Sequence, residues 1–172
     1  MNNLRQLLEE SHKDLHQWFL MHQECLLLRH DEGAMQAWDG FADFLKAHLA
    51  FENEYILPGA EALQLKLRWG ILVYSKEHGK LLAMLSDIHA ALCHYHGLQG
   101  RERRLGLLSL LEREQSLYHV MEHHEQREEQ DLFLHLDQFG EKLKQEWQRR
   151  EEKLFLRYQT VKEQLKYFLQ SS

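Results

Sequence analysis

The sequence predicts an all-α protein, and three observations support that fold class. The chain of 172 residues contains only 1 Pro and 9 Gly, the residues that most often interrupt helices. It is rich in Leu, Glu, Gln, Lys and Arg, which favour helices. Apolar side chains recur along almost the whole chain with the period of an amphipathic helix.

Four long helices are expected in the first part of the chain. They cover roughly residues 3–30, 34–57, 61–96 and 101–138. The segment 31–33 is expected to break the first helix. Pro58-Gly59 is expected to end the second, since proline cannot continue a helix and glycine tolerates the turn. Short connections favour antiparallel neighbours, so we expect an up-down-up-down four-helix bundle at residues 1–140.

Residues 141–172 are predicted to form an additional amphipathic helix. Its apolar seam repeats every seven residues, which is the spacing of a coiled coil. The seam residues are Trp147, Leu154, Val161 and Phe168, and the second heptad position holds Glu151, Tyr158 and Leu165. Two interpretations are open: the helix packs along the outside of the bundle, or it mediates a homodimer.

Charge and hydropathy exclude several function classes. The 21 Lys and Arg against 27 Asp and Glu give a net charge of −6, and an acidic chain without a basic block is a poor nucleic-acid binder. The start of the sequence has no signal-peptide pattern, and no apolar run approaches the ~18 residues of a membrane span. Cys25 and Cys93 form no CxxC motif, as expected of free thiols in a reducing compartment. We therefore expect a cytoplasmic protein without membrane contacts.

The 13 histidines are the unusual feature of the composition. Two of them begin HxxxE motifs, His48 with Glu52 in the second helix and His124 with Glu128 in the fourth. A spacing of four residues places both side chains on one face of a helix. Both motifs lie in the C-terminal halves of their helices, and both are followed by a further acid or amide and then an apolar pair.

The first and third helices supply two further histidines at the same depth. His12 and His78 lie on the apolar stripes of these helices. At about 1.5 Å per residue, all four histidines lie about 14–24 Å from the same end of the bundle, so they can meet with the two carboxylates between them. Imidazole and carboxylate suit iron, zinc or manganese. Two such ions could share both carboxylates and a solvent-derived bridge; the alternative is a set of hydrogen-bonded core histidines.

Apolar side chains are expected to form a wall around the ions. The predicted members are Phe44, Phe51, Leu82 and Met121. Such a wall would leave a small, dry position for a ligand at the metal. His16, one turn after His12, is the alternative ligand on the first helix.

This pattern resembles the hemerythrin-like, HHE cation-binding family. In that family a lone His, an HxxxE motif, a second lone His and a second HxxxE motif lie on four antiparallel helices. The matching residues are His12, His48 with Glu52, His78, and His124 with Glu128. The flanks at 11–15, 47–49 and 76–78 match as well, and the resemblance covers about residues 5–138. It implies a non-heme di-iron centre with two bridging glutamates.

One position departs from the oxygen-carrying hemerythrins, which have a second His one turn before the ligand of the third helix. Tyr74 stands there, as a packing residue or as a ligand itself. The last acid is Glu128, four residues after His124, whereas the carriers have an Asp one residue later. The match is closer to the four-His, two-Glu members associated with redox stress and nitric oxide.

The resemblance implies a di-iron protein that binds O2, NO or peroxide, for sensing, stress protection or iron handling; zinc and manganese are less favoured. The alternative is a zinc-binding or metal-free helical bundle that acts as a partner-binding module. A ferritin-like oxidase would need two ExxH motifs, and only the segment 9–12 provides one. We recognise no positioned nucleophile and no phosphate-binding loop, so the question of an enzymatic activity is left open.

Overall fold

The structure, a computed structural model, describes residues 3–171 and is all-helical, with no strand in that range. Within it the α-helices are α1 (Leu4–Leu27), α2 (Asp31–Phe51), α3 (Leu57–Ala62), α4 (Ile71–His96), α5 (Gly100–Gln130) and α6 (Glu141–Ser171). None of these described helices is long and apolar enough to cross a membrane. The predicted all-α class is confirmed; the expected domain limits at residues 1 and 172 lie outside the described residues.

The first two helices begin at side-chain caps. Asn3 and Gln6 form a capping box at α1, in which each side chain accepts the other residue's backbone N–H at 2.9–3.0 Å. His30 caps α2, because its Nδ1 accepts the backbone N–H of Gly33 at 2.7 Å. The expected break at 31–33 is therefore wrong. These residues form the first turn of α2, where acidic side chains are favoured by the helix dipole.

Pro58 does not end the second helix, contrary to the expectation. A π-helical turn, Glu52–Ile56, follows α2 and leads directly into α3. Pro58 lies in the first turn of α3, directly after the π-helical turn, and the first turn of a helix tolerates proline. The chain turns at 63–70 instead. The π-helical turn begins at Glu52, one of the candidate ligands, and such turns are frequent at functional sites.

The fourth long helix is also shorter than expected. α5 ends before Asp131, and Leu132–Gln138 forms a 3-10 helix. The carboxylate of Asp131 accepts the backbone N–H groups of Arg68 and Trp69 at 3.1 and 3.3 Å. It also accepts the hydroxyl of Tyr74 at 2.9 Å. Asp131 therefore ties the end of α5 to the turn that precedes α4.

Two apolar clusters fill the interior, and the candidate histidines lie at the boundary between them. On α1 the change falls between Leu8 and Leu15, and on α4 between Tyr74 and Leu81. Each of these intervals contains one of the lone histidines of the motif. Apolar packing on both sides thus positions a narrow polar layer.

α6 lies along α1 and α2 of its own chain. Trp147 packs edge-on against His48, with ring centroids 5.6 Å apart. The Tyr158 hydroxyl donates to the carboxylate of Asp43 at 2.6 Å. Trp147, Tyr158 and Leu165 are the buried residues of α6, and all three belong to the predicted heptad. The helix therefore covers the His48 side of the polar layer, and a homodimer through α6 stays a prediction.

Candidate metal centre

All six residues selected from the sequence lie together in the polar layer. Two groups of side chains could each hold a metal ion, with ligand atoms within 4.8 Å of one another. One group is Glu52, His78, His124 and Glu128, and the other is His12, His48 and Glu128. None of the six residues is more than 3 % exposed. Sequence spacing and three-dimensional grouping therefore select the same residues.

The first histidine pair comes from α1 and α2. The Nε2 atoms of His12 and His48 are 3.2 Å apart. Glu128 Oε2 lies 3.4 Å from His12 Nε2, and Glu52 Oε1 lies 3.2 Å from His48 Nε2. Two donors bound at ~2.1 Å to one ion are about 3.0–3.4 Å apart, which these separations match.

The second histidine pair comes from α4 and α5. Glu128 Oε1 lies 2.9 Å from His124 Nε2, and Glu52 Oε2 lies 3.4 Å from His78 Nε2. Each glutamate therefore directs one oxygen to the first pair and the other oxygen to the second. This is the arrangement of two carboxylates that bridge two ions.

The outer nitrogen of every candidate histidine has an oxygen partner from a neighbouring helix. The pairs are His12 with Glu129 at 2.9 Å, His48 with Ser11 at 2.8 Å, His78 with Asn53 at 2.8 Å, and His124 with Glu77 at 3.1 Å. A proton on Nδ1 that is donated to such an oxygen leaves the Nε2 lone pair facing inward, as a metal ligand requires. The Ser11 hydroxyl donates to the Leu8 carbonyl at 2.7 Å, so it accepts from His48.

These four partners form a closed ring around the layer. Each stands directly beside a candidate ligand in the sequence, and each supports a histidine of the next helix. α1 supports α2, the π-helical turn after α2 supports α4, α4 supports α5, and α5 supports α1. Sequence reasoning missed the ring, although the polar neighbours of the ligands were a visible signal.

The inward-facing atoms lack partners, which is the main test of whether a metal fits. Both carboxylate oxygens of Glu52 and of Glu128 are buried without a hydrogen-bond partner among the described residues. The same holds for Nε2 of His78 and of His124. Burying such groups without compensation costs several kcal/mol per group, roughly. Because cations would satisfy all of these atoms at once, the donor set fits metal ions.

The carboxylates raise the pKa of the histidines around them. Burial lowers the pKa of His12, but the neighbouring carboxylates of Glu128 and Glu129 outweigh it and raise that pKa to about 10. Burial likewise lowers the pKa of His124, whereas Glu128 and Glu77 raise it to about 10. Burial raises the pKa of Glu128, but the facing histidines hold it well below its usual range. Protons therefore compete with metal ions for these ligands.

Two alternatives from the sequence are placed elsewhere. The Tyr74 hydroxyl donates to the carboxylate of Asp131 at 2.9 Å. His16 lies 2.6 Å from a carboxylate oxygen of Glu125 and 3.0 Å from the Tyr118 hydroxyl, outside both groups. The helix-one member of the ligand groups is therefore His12.

The expected apolar wall needs one correction. Leu82 is 38 % exposed, because it lies on the outer face of α4 next to the buried Leu81. Phe51 and Met121 are fully buried, and Phe44 is 8 % exposed. The aromatic rings in contact with the candidate ligands come from outside the predicted wall. Phe133 stacks on His12 with centroids 5.5 Å apart, and Trp147 of α6 packs on His48.

Comparison with models of known families, with curated proteins and with solved structures finds no match for this chain.

Proposed function

We propose that this chain is a hemerythrin-like protein with two non-heme iron ions, which binds a small ligand such as O2, NO or peroxide for sensing, stress protection or iron handling. In this proposal α1, α2, α4 and α5 form an up-down-up-down bundle around the ions. One observation carries the proposal: two histidine pairs share two buried glutamates whose four oxygens have no other partner among residues 3–171.

Each side chain has a separate role in this proposal. His12 and His48 would hold one ion, His78 and His124 the other, and Glu52 and Glu128 would bridge them. Two nitrogens and two oxygens per ion leave coordination positions for a small ligand. Bound iron would supply redox chemistry and affinity for diatomic ligands.

The chain's own residues prepare the site for such a ligand. The ring of Nδ1 partners holds the imidazoles in one tautomer and one orientation. Phe133 and Trp147 pack on two of these imidazoles and exclude water from that side. A dry, preorganised site of this kind favours small uncharged ligands over bulky or charged ones.

Iron is the proposed metal because imidazole and carboxylate donors suit it and because the motif resembles that of a di-iron family. Zinc and manganese accept the same donors. Elemental analysis of the protein purified in air should find about two iron ions per chain, with near-ultraviolet absorption typical of coordinated ferric iron. Stoichiometric zinc, or no metal and a melting temperature unchanged by added iron, would refute the proposal.

A matched pair of variants tests the assignment of ligands. His78→Ala removes a candidate ligand that is 1 % exposed. His119→Ala removes a histidine of α5 whose side chain is 60 % exposed. The first variant should lose iron and the second should keep it. Equal iron contents in the two variants would show that the site lies elsewhere.

The alternative function is a partner-binding helical bundle with zinc or without metal. One feature favours a partner: α6 exposes Phe155, Leu156 and Tyr167 at 52, 67 and 77 %, outside its buried seam. Exposed apolar side chains of this size on one helix are typical of contact surfaces. Sedimentation of the purified chain, with and without a Phe155→Ser substitution, would show whether that contact is a homodimer.

A further inference from the structure

The six candidate ligands are closed off from solvent, so an arriving ion must pass through the wall of the centre. No ligand is more than 3 % exposed. An open pocket of about 410 Å³ lies between α1 and α5, and it reaches the centre because His12 lines it. Its other lining residues are Glu9, Lys13, His16, Glu125 and Glu129.

The pocket contains the same types of side chain as the centre, one helical turn further out. His12 and His16 are four residues apart on α1, and Glu125 and Glu129 are four residues apart on α5. His12 Nδ1 lies 2.9 Å from Glu129 Oε1, and His16 Nε2 lies 2.6 Å from Glu125 Oε2. The two helices therefore present two histidine–carboxylate pairs in succession, the inner one at the centre and the outer one in the pocket.

An unpartnered oxygen of Glu125 indicates that this pocket binds a ligand. It is only 7 % exposed, and its Oε1 is buried with no hydrogen-bond partner in the described part of the chain. A buried carboxylate oxygen without a partner is costly, and a cation in the pocket would satisfy it. The Tyr118 hydroxyl lies 3.0 Å from His16 Nδ1, so the outer nitrogen of His16 is held as the outer nitrogens of the centre are.

The net charge of the pocket favours the entry of cations over anions. Glu9, Glu125 and Glu129 line it together with Lys13, His12 and His16. With both histidines neutral, as metal ligands must be, three carboxylates and one lysine leave an excess of negative charge. Such a mouth concentrates cations and repels anions. Two protein ligands hold an ion less tightly than the four of each inner position, so an ion captured here would move inward.

We propose that His16 and Glu125 form an outer site for a divalent metal ion, which captures the ion from solvent and delivers it past His12 to the dinuclear centre. This inference rests on the proposed function, since it assumes that the centre binds metal. It assigns a role to His16, which the centre itself does not use.

Rapid mixing of the metal-free full chain with Co2+ tests the proposal, because the visible absorption of Co2+ changes when it is bound. The wild type should bind two ions tightly and a third weakly. The double variant His16→Gln with Glu125→Gln should keep the two tight ions, lose the weak one and load about tenfold more slowly. A control double variant, His119→Gln with Glu112→Gln, removes the same groups from the exposed surface of α5 and should load like the wild type.

Salt provides a second measurement that does not depend on the stoichiometry. Raising the ionic strength should slow loading of the wild type and affect the double variant less, since salt screens an acidic mouth. Circular dichroism verifies that the variants are folded, and the single Glu125→Gln change, which keeps the shape of the side chain, should give part of the slowing.

The outcomes separate the outer site from the centre. Two tight ions that load at the wild-type rate in the double variant, with the third ion still present, would overturn the outer site and leave the proposed function intact. A wild type that binds no Co2+ would overturn both.

Discussion

The same helices carry a second buried histidine–carboxylate pair, and it differs from the centre in one respect. His22 and Glu114 are fully buried, with His22 Nε2 2.9 Å from Glu114 Oε1. His22 Nδ1 donates to the Ala34 carbonyl at 2.8 Å, and the Gln23 amide donates to Glu114 Oε2 at 3.0 Å. Every ring nitrogen and carboxylate oxygen of this pair has a partner.

The centre has most of its partners on its outer side; on the inner side only Nε2 of His12 and Nε2 of His48 contact each other, at 3.2 Å. Its Nδ1 atoms are all engaged, whereas the oxygens of Glu52 and Glu128 and two of the Nε2 atoms are without a hydrogen-bond partner in the described residues. Burial and residue type are the same in both places. The comparison teaches that unsatisfied atoms, rather than buried histidines as such, distinguish a ligand site from a structural pair.

Glu128→Gln should have the largest effect, because Glu128 belongs to both ligand groups. Losing one carboxylate from both ions should lower metal affinity about a thousandfold, or ~4 kcal/mol. Titration with a competing chelator measures it, with Glu114→Gln as the control of equal chemistry. Two tightly held ions in Glu128→Gln would remove the distinction between the two regions.

Glu114→Ala should lower the stability of the chain without changing its metal content. It leaves Nε2 of His22 buried without its hydrogen-bond partner, so the free energy of unfolding should fall by about 2 kcal/mol. Metal content should stay that of the wild type. Urea unfolding and elemental analysis of the same preparation decide it. Loss of metal with unchanged stability would mean that the His22 pair is the functional one.

Asn53→Ala tests the ring that surrounds the centre. Asn53 holds Nδ1 of His78 at 2.8 Å, and removal of such a partner should weaken metal binding about tenfold, or ~1.4 kcal/mol. Chelator competition should reveal the loss, while urea unfolding of the metal-free chain changes little. Gln138→Ala removes an exposed amide and serves as the control. Equal affinities for the two variants would show that the ring does not support the ligands.

Glu151 of α6 should have the smallest effect, and its size depends on pH. Burial, with Asp14 and Glu10 nearby, raises the pKa of Glu151 to about 7. A raised carboxyl pKa means that the folded state favours the protonated form, so its stabilising effect is present below the unfolded pKa and is lost as pH rises through 7. Glu151→Gln should therefore stabilise the chain by about 1 kcal/mol at pH 8.5, after allowance for solvent screening, and by almost nothing at about pH 4, below the unfolded pKa. Equal urea midpoints of variant and wild type at pH 8.5 would contradict this sign.

Much of the candidate site could be predicted because it rests on local spacing. His48 with Glu52 and His124 with Glu128 share a helix face by their four-residue separation alone, in any fold that keeps those helices. The apolar stripes and equal depth along the helices then indicated His12 and His78, with His16 left as the alternative to His12. The six residues that the structure groups are the six that these two rules selected.

The expectations that proved wrong depended on local backbone geometry or on contacts between segments that are distant in the sequence, and the sequence pattern shows neither. Pro58 was expected to end a helix, but the π-helical turn before it moves Pro58 into a first turn, where proline is tolerated. Leu82 was placed inward although only its neighbour Leu81 faces the core, since a long apolar run leaves the inward face ambiguous by one residue. His30 caps a helix, a role that histidine seldom takes.

The sequence by itself determined the all-α class and the residue types available to a metal, because helical periodicity and i, i+4 spacing are properties of a single helix. Only the tertiary structure decided which atoms of those residues are satisfied. The ring from Ser11, Asn53, Glu77 and Glu129 joins each helix to another, so no single helix contains it. The unpartnered inward atoms exist only because four helices exclude water from the same small volume.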